Sequence, residues 1–236
     1  MRGFLLLIGL LLAGPAKAQP GDAWPHTAIG RIERLGAPGF CTGTLVGPRH
    51  VLTAAHCLLN PRTRIQMPPH LLRFVPAGWR DGAGGVAVAL AEGYRGGTGP
   101  SAQTVGRDWG LLVLDRALEV RPVPLLAQSV PVLTGMVGQK VLTRAGIGPA
   151  GEAARAPGCA LTNIGQDPAL LLHDCAVSAG DSGAPLLVGE GEGAALLGMH
   201  VAILGFNGYP HNLALSAAAL AGEVERIVAD PAFAGR

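Results

Sequence analysis

The sequence predicts an all-β protein of barrel or sandwich type with a single helix at its end. Three observations predict it. Short aliphatic runs recur along the chain, no helical segments alternate with them, and Gly- and Pro-rich stretches separate them. With 36 glycines and 19 prolines in 236 residues, turns are frequent enough to break the chain into strands this short.

Taken in order, residues 28–34 and 42–47 read as strands on either side of Gly36-Ala37-Pro38-Gly39. Pro48-Arg49-His50 makes a turn, and residues 51–53 form a further strand running into His56. Residues 86–90, 110–115, 137–144, 184–188 and 194–202 are the remaining strand candidates. Glycine-rich tracts at 93–100, 146–151 and 189–193 lie between them. The helix is expected near the end, where Ser216 can cap it and Leu220, Val224, Ile227 and Val228 share one face at helical spacing.

The first 18 residues read as a secretory signal peptide. Arg2 supplies the basic start, residues 4–13 the apolar run, Gly14-Pro15 the break and Ala16-Lys17-Ala18 the small-residue cleavage site. The apolar run falls short of the ~20 residues a bilayer span needs, so a retained anchor is the weaker alternative. Cleavage after Ala18 removes Arg2 and Lys17, taking the 18 basic residues to 16, equal to the 16 acidic ones. A neutral mature chain lacks the basic field that nucleic-acid or anionic-membrane binding requires. The expected location is secreted or periplasmic, with no membrane association after cleavage. The 218 residues left of 236 suffice for a large core, and length alone allows one domain or two.

Four cysteines in an exported chain point to disulfides, with three pairings possible. Cys41–Cys57 with Cys159–Cys175 is favoured because each closes a short local loop, contributing roughly 3 kcal/mol on the loop-entropy model. Zinc is the competing reading, since His56 adjoins Cys57, but no paired C-x-x-C element is present.

Three motifs carry chemistry: Thr53-Ala54-Ala55-His56-Cys57, Asp108-Trp109-Gly110 followed by Leu111-Leu112-Val113-Leu114, and Gly180-Asp181-Ser182-Gly183. A serine hydroxyl is a weak nucleophile at neutral pH and needs an adjacent base. A histidine can serve as that base, and a carboxylate can hold its tautomer and stabilise the imidazolium. The chain order His, Asp, Ser matches the chymotrypsin-type arrangement rather than that of subtilisins or α/β-hydrolases. Each motif also has a plainer reading. Gly-Asp-Ser-Gly is a common turn composition, a lone histidine is more often structural, and Asp115 rivals Asp108.

On these motifs the chain resembles the trypsin/chymotrypsin-like serine endopeptidases, and among them the bacterial secreted branch that includes glutamyl endopeptidases. The resemblance implies two Greek-key β-barrels and a C-terminal helix, with halves at 19–120 and 121–236 forming one peptidase domain. It implies His56 as base, Asp108 as orienter and Ser182 as nucleophile, with the amides of Gly180 and Ser182 as oxyanion hole. Asp108 is preferred to Asp115 because it directly precedes the apolar strand. In the animal relatives the counterpart of Asp181 pairs with a new amino terminus that begins Ile-Val-Gly-Gly or similar. No such sequence occurs here, and Arg144, in Thr-Arg-Ala-Gly, aligns with an arginine that bacterial relatives use instead. A surface role is its alternative.

The resemblance also places Ala176, six residues before Ser182, at the base of the pocket for the residue preceding the cut. Val177 follows it, and His200, Val201, Ala202 and Ile203 form the facing wall. An aspartate at 176 would have implied cleavage after Lys or Arg. Gly198-Met199-His200 and His173-Asp174-Cys175 are similar to glutamyl endopeptidase segments, but the hydroxyl residues that assist the histidine are replaced by Val177 and Ile203. The pocket is therefore expected to be apolar and to accept Ala, Val, Leu or Met, with His200 as either a ligand or a hydrogen-bonded strand histidine.

The expectation is a monomeric serine endopeptidase acting on peptide or protein through an acyl-enzyme, with no cofactor or metal. A catalytically silent homologue used as a binding module is the alternative, and an esterase of small molecules is a third possibility.

Overall fold

The computed structural model describes residues 23–94, 96, 104–165, 167, 169–206 and 209–234. The signal-peptide expectation at residues 1–18 lies outside these. Thirteen strands dominate the described residues. Six form the first half: β1 (Ile29–Arg34), β2 (Phe40–Gly47), β3 (His50–Thr53), β4 (Leu72–Pro76), β5 (Ala83–Leu90) and β6 (Gly110–Leu114). They close into an antiparallel barrel of order β1-β2-β3-β6-β5-β4. Closure removes the free edges at which such short strands would otherwise invite pairing with another chain.

The second half holds β7 (Leu142–Ile147), β8 (Ala153–Cys159), β9 (Leu161–Ile164), β10 (Leu170–His173), β11 (Pro185–Val188), β12 (Ala195–Phe206) and β13 (Tyr209–Ser216). They form one antiparallel sheet of order β8-β7-β11-β12-β13-β10-β9. Its two outer strands, β8 and β9, are consecutive in the chain and meet at Ala160. The sheet therefore curls into a second barrel. Helix α2 (Ala217–Ala229) follows, its first turn capped by the Ser216 hydroxyl, which accepts from the Ala218 N–H. Leu220, Val224 and Ile227 are buried on its inner face. The short α3 (Pro231–Ala234) ends the described chain.

Several elements depart from the sequence reading. Residues 137–144 do not form one strand: β7 starts only at Leu142, and the preceding valine-rich segment is helix α1 (Val130–Met136). Valine favours strands, yet Ser129 at the cap and Pro131 in the first turn are helix-start signals. Burial of Leu133 on one face then settles the conformation. Residues 26–28 form a 3-10 turn, so β1 starts one residue late. β4, β8, β9, β10 and β13 were not anticipated; they have prolines inside or at their ends, or runs of only four residues. What makes them strands is pairing with distant partners, such as β10 with β13 at Leu172↔Leu213.

Both disulfides have the pairing favoured on loop length, Cys41–Cys57 and Cys159–Cys175. All four sulfurs are thereby consumed, which leaves the His56–Cys57 zinc reading without its thiolate.

Candidate active site

Register brings two of the three motifs together. β3 and β6 are antiparallel neighbours with Thr53 opposite Gly110. His56 lies three residues beyond one strand and Asp108 two residues before the other, so both project from the same end of the barrel. His56 sits in a 3-10 turn (Ala55–Leu58), and the Cys57 disulfide ties that turn to β2. The Asp108 carboxylate accepts from the His56 backbone N–H at 2.9 Å through Oδ1 and from the His56 ring Nδ1 at 2.7 Å through Oδ2. Its side chain is 2% exposed against 20% for His56, so the carboxylate is sealed inside while the far edge of the imidazole reaches solvent. An Asp bond at Nδ1 leaves the other ring nitrogen free to handle a proton.

Tyr94 adds a contact that the sequence did not suggest. Burial, the Asp108 charge and a hydrogen bond to that carboxylate together push its phenol up, so it stays protonated and donates to Asp108. Asp115, the rival carboxylate, is exposed at the end of β6 beside Arg116.

The third motif belongs to the second barrel and meets the first at β2. The Ser182 carbonyl accepts from the Thr42 N–H at 2.9 Å and lies 3.8 Å from Cys57 Sγ, next door to His56. Gly183 donates to the His200 carbonyl and His200 N–H to Ala184, so the Ser182 turn extends the β11–β12 ladder. Gly180 and Gly183 have φ of +100° and +86°. Side chains rarely tolerate this region, and here space forbids them too. A Cβ at 180 would stand 2.6 Å from the Phe40 ring, and one at 183 would strike the Thr42 carbonyl and Thr53 hydroxyl. Among the described residues, neither the Gly180 nor the Ser182 N–H has a hydrogen-bond partner. Two unpaired donors flanking a serine on a tight turn are suited to receiving an anion.

Behind the turn, Asp181 is buried and fully engaged. Arg144 Nη1 donates to its Oδ1 at 2.6 Å, and the Ser178 N–H and hydroxyl donate to Oδ2 at 2.6 and 3.1 Å. Arg144 Nε donates to the Ala176 carbonyl at 3.0 Å, so one guanidinium bridges the Ser182 turn and the segment before it. Gly146 makes room for this pair, since a Cβ there would collide with both charged groups. Neither Ser178 nor Gly146 was legible as part of the site. Their role depends on where the Arg144 side chain passes, which sequence spacing does not reveal.

The segments expected to shape the pocket are mixed in exposure. Ala176 is exposed, Val177 half-buried, His200 and Ala202 buried, and Ile203 exposed on the surface of β12. Val201 and Ala202 both pack into the main hydrophobic core. A β-bulge lies between His200 and Ala202 in the pairing with β13. His173 Nε2 and His200 Nδ1 lie 3.1 Å apart with the rings edge to face. Burial lowers both imidazoles. For His200, neighbouring His173, Arg144 and His56 add to the effect and bring it to about 3. His173 falls to about 4, with Arg144 lowering it and Asp174 partly opposing. Both are neutral at pH 7, one donating to the other.

A two-barrel antiparallel fold that sets a His–carboxylate pair beside a glycine-flanked serine turn defines a class, that of serine endopeptidases. The chain belongs to the trypsin-like peptidase family, whose domain model matches residues 41–199. A solved structure of a Glu endopeptidase in complex with MPD superposes with a TM-score of 0.68, covering 89% of this chain and 93% of that one at 19% identity. At that identity the likeness is one of fold. Serine protease 23 of Mus musculus and of Rattus norvegicus each share 48% identity with this chain over 46 residues. That stretch is 19% of this chain, and only 12% of those two relatives' length is matched.

Proposed function

We propose that the protein is an exported serine endopeptidase that hydrolyses peptide bonds with His56, Asp108 and Ser182. The observation that carries this reading is the buried Asp108 carboxylate bound to His56 Nδ1 at 2.7 Å, at the end of the barrel where the Ser182 turn docks. In the proposed reaction His56 Nε2 takes the Ser182 hydroxyl proton as Oγ attacks the scissile carbonyl carbon. The carbonyl electrons move onto oxygen, and the N–H groups of Gly180 and Ser182 stabilise the oxyanion. Collapse breaks the C–N bond, and His56 gives its proton to the leaving amine. Water, deprotonated by His56, then hydrolyses the acyl-enzyme and restores Ser182. In this reading residues 19–120 and 121–236 act as halves of one monomeric peptidase domain on peptide or protein substrates.

The finer reading of specificity is an apolar pocket bounded by Ala176, Val177, His200, Ala202 and Ile203. A buried carboxylate requires a compensating charge or several donors. His200 is held neutral at pH 7 and its Nδ1 is engaged with His173, which supports small or medium apolar side chains over glutamate. The two disulfides support an oxidising, exported location.

The test is fluorophosphonate labelling of the purified protein with mapping of the modified residue. Labelling at Ser182 that disappears in Ser182→Ala and in His56→Ala is expected. A folded, disulfide-bonded protein that does not label would overturn the reading in favour of a binding module.

A further inference from the structure

We infer that Thr42, on β2 of the first barrel, is a positioning residue that sets the oxyanion-binding turn of the second. The inference rests on the endopeptidase reading above. Thr42 is completely buried, as is Thr53 beside it. Its N–H donates to the Ser182 carbonyl and its hydroxyl donates to the Gly180 carbonyl, both at 2.9 Å. Its own carbonyl accepts from the Thr53 hydroxyl at 2.7 Å, and these two groups occupy the space where Gly183 lacks a side chain.

The consequence follows from the planarity of the peptide unit. The 180–181 peptide is held at both ends, its carbonyl by the Thr42 hydroxyl and its Asp181 N–H by the Ser178 carbonyl at 3.1 Å. The 182–183 peptide is likewise held at both ends, its carbonyl by the Thr42 N–H and its Gly183 N–H by the His200 carbonyl at 2.8 Å. The peptide between them carries the Ser182 N–H, and the one before carries the Gly180 N–H. With their neighbours fixed, these two N–H groups have their directions set by the chain itself. Gly180 lacks the Cβ that would otherwise restrict its backbone, so without the Thr42 hydroxyl bond the 180–181 peptide is held only through its Asp181 N–H. Thr42 holds this turn from the first barrel through both its N–H and its hydroxyl, which makes the donor geometry a property of how the two barrels dock.

A purely structural threonine would support stability and leave the chemistry of the folded protein alone. Three variants and a transition-state mimic separate the roles. Thr42→Val keeps the shape and removes the hydroxyl, Thr42→Ala removes it without a branched methyl, and Thr42→Ser keeps it. Turnover of a peptide amide and affinity for a peptide aldehyde, whose hemiacetal oxygen occupies the oxyanion position, are measured per folded molecule. The expected result for Thr42→Val and Thr42→Ala is a kcat about 10- to 100-fold lower with KM within about threefold. Aldehyde affinity should fall in parallel, and Thr42→Ser should restore both. Thr134→Val, which removes a hydroxyl bonded to Val130 on α1, serves as a control expected to change nothing.

Folded Thr42→Val or Thr42→Ala with unchanged kcat and aldehyde affinity would overturn the inference while leaving the endopeptidase reading intact. So would the failure of both variants to fold, since the role of the hydroxyl would then be structural. A wild-type protein that neither cleaves nor labels would overturn the endopeptidase reading and the inference with it.

Discussion

Ser182 stands on a turn that hydrogen bonds from behind hold in place. Arg144 neutralises Asp181 behind the turn and holds the Ala176 carbonyl at the same time. Removing one partner of a buried pair leaves a charge without compensation, which typically costs ~3–5 kcal/mol. Arg144→Ala is therefore expected to lose several kcal/mol in denaturant unfolding and to lose hydrolytic activity; retention of both would show that the pair is dispensable. Arg144→Lys should restore only part of this, because an ammonium cannot reach two directions from one planar fork. Specificity belongs to the same scale. Profiling against a peptide library should show cleavage after Ala, Val, Leu or Met, and cleavage solely after Glu would mean that His200 binds a carboxylate despite its neutral state.

Helix α2 and the two disulfides show how single elements fix local structure, each bridge lying within one half. The cap hydrogen bond from the Ala218 N–H to the Ser216 hydroxyl fixes the start of α2, and Ser216→Ala should cost ~1 kcal/mol of stability, read by thermal unfolding. The Cys159–Cys175 bridge anchors the residue directly before Ala176 to the end of β8. Replacing both cysteines with serine should cost roughly 3 kcal/mol and raise KM more than it lowers kcat, because the pocket segment loosens while His56 and Asp108 stay in the other barrel. An unchanged KM would place that bridge outside substrate binding. Helix α1 illustrates the opposite relation between sequence and element. Its valines favour a strand in isolation, and its conformation rests on Pro131 in the first turn and the burial of Leu133.

Across the whole molecule, buried neutral histidines couple stability to pH. Burial pushes His173 down to about 4 and His200 down to about 3, and it also lowers His26 and His50. In the unfolded chain all titrate near 6.5. Between these limits the unfolded state binds more protons, so stability is full above about pH 6.5 and falls as the pH drops toward 4. The slope is roughly one kcal/mol per pH unit for each of His173 and His200. Thermal melting across pH 7.5–4 should show this loss, and a melting temperature flat over that range would mean that these rings are solvated in the native protein. The three motifs were legible in the sequence because their chemistry is local: a serine between glycines, a histidine before a cysteine, an aspartate before an apolar strand. The disulfide pairing followed from short loops, and the terminal helix from its cap and apolar spacing. Five strands were not legible, since β4, β8, β9, β10 and β13 owe their form to pairing with residues far along the chain. The same holds for the contacts that assemble the site. Thr42 meets Gly180 across 138 positions, and Ser178 and Gly146 enter through the path of the Arg144 side chain. A motif names the groups that chemistry needs; hydrogen bonds and close packing between distant segments set their directions, and those form only when the two barrels dock.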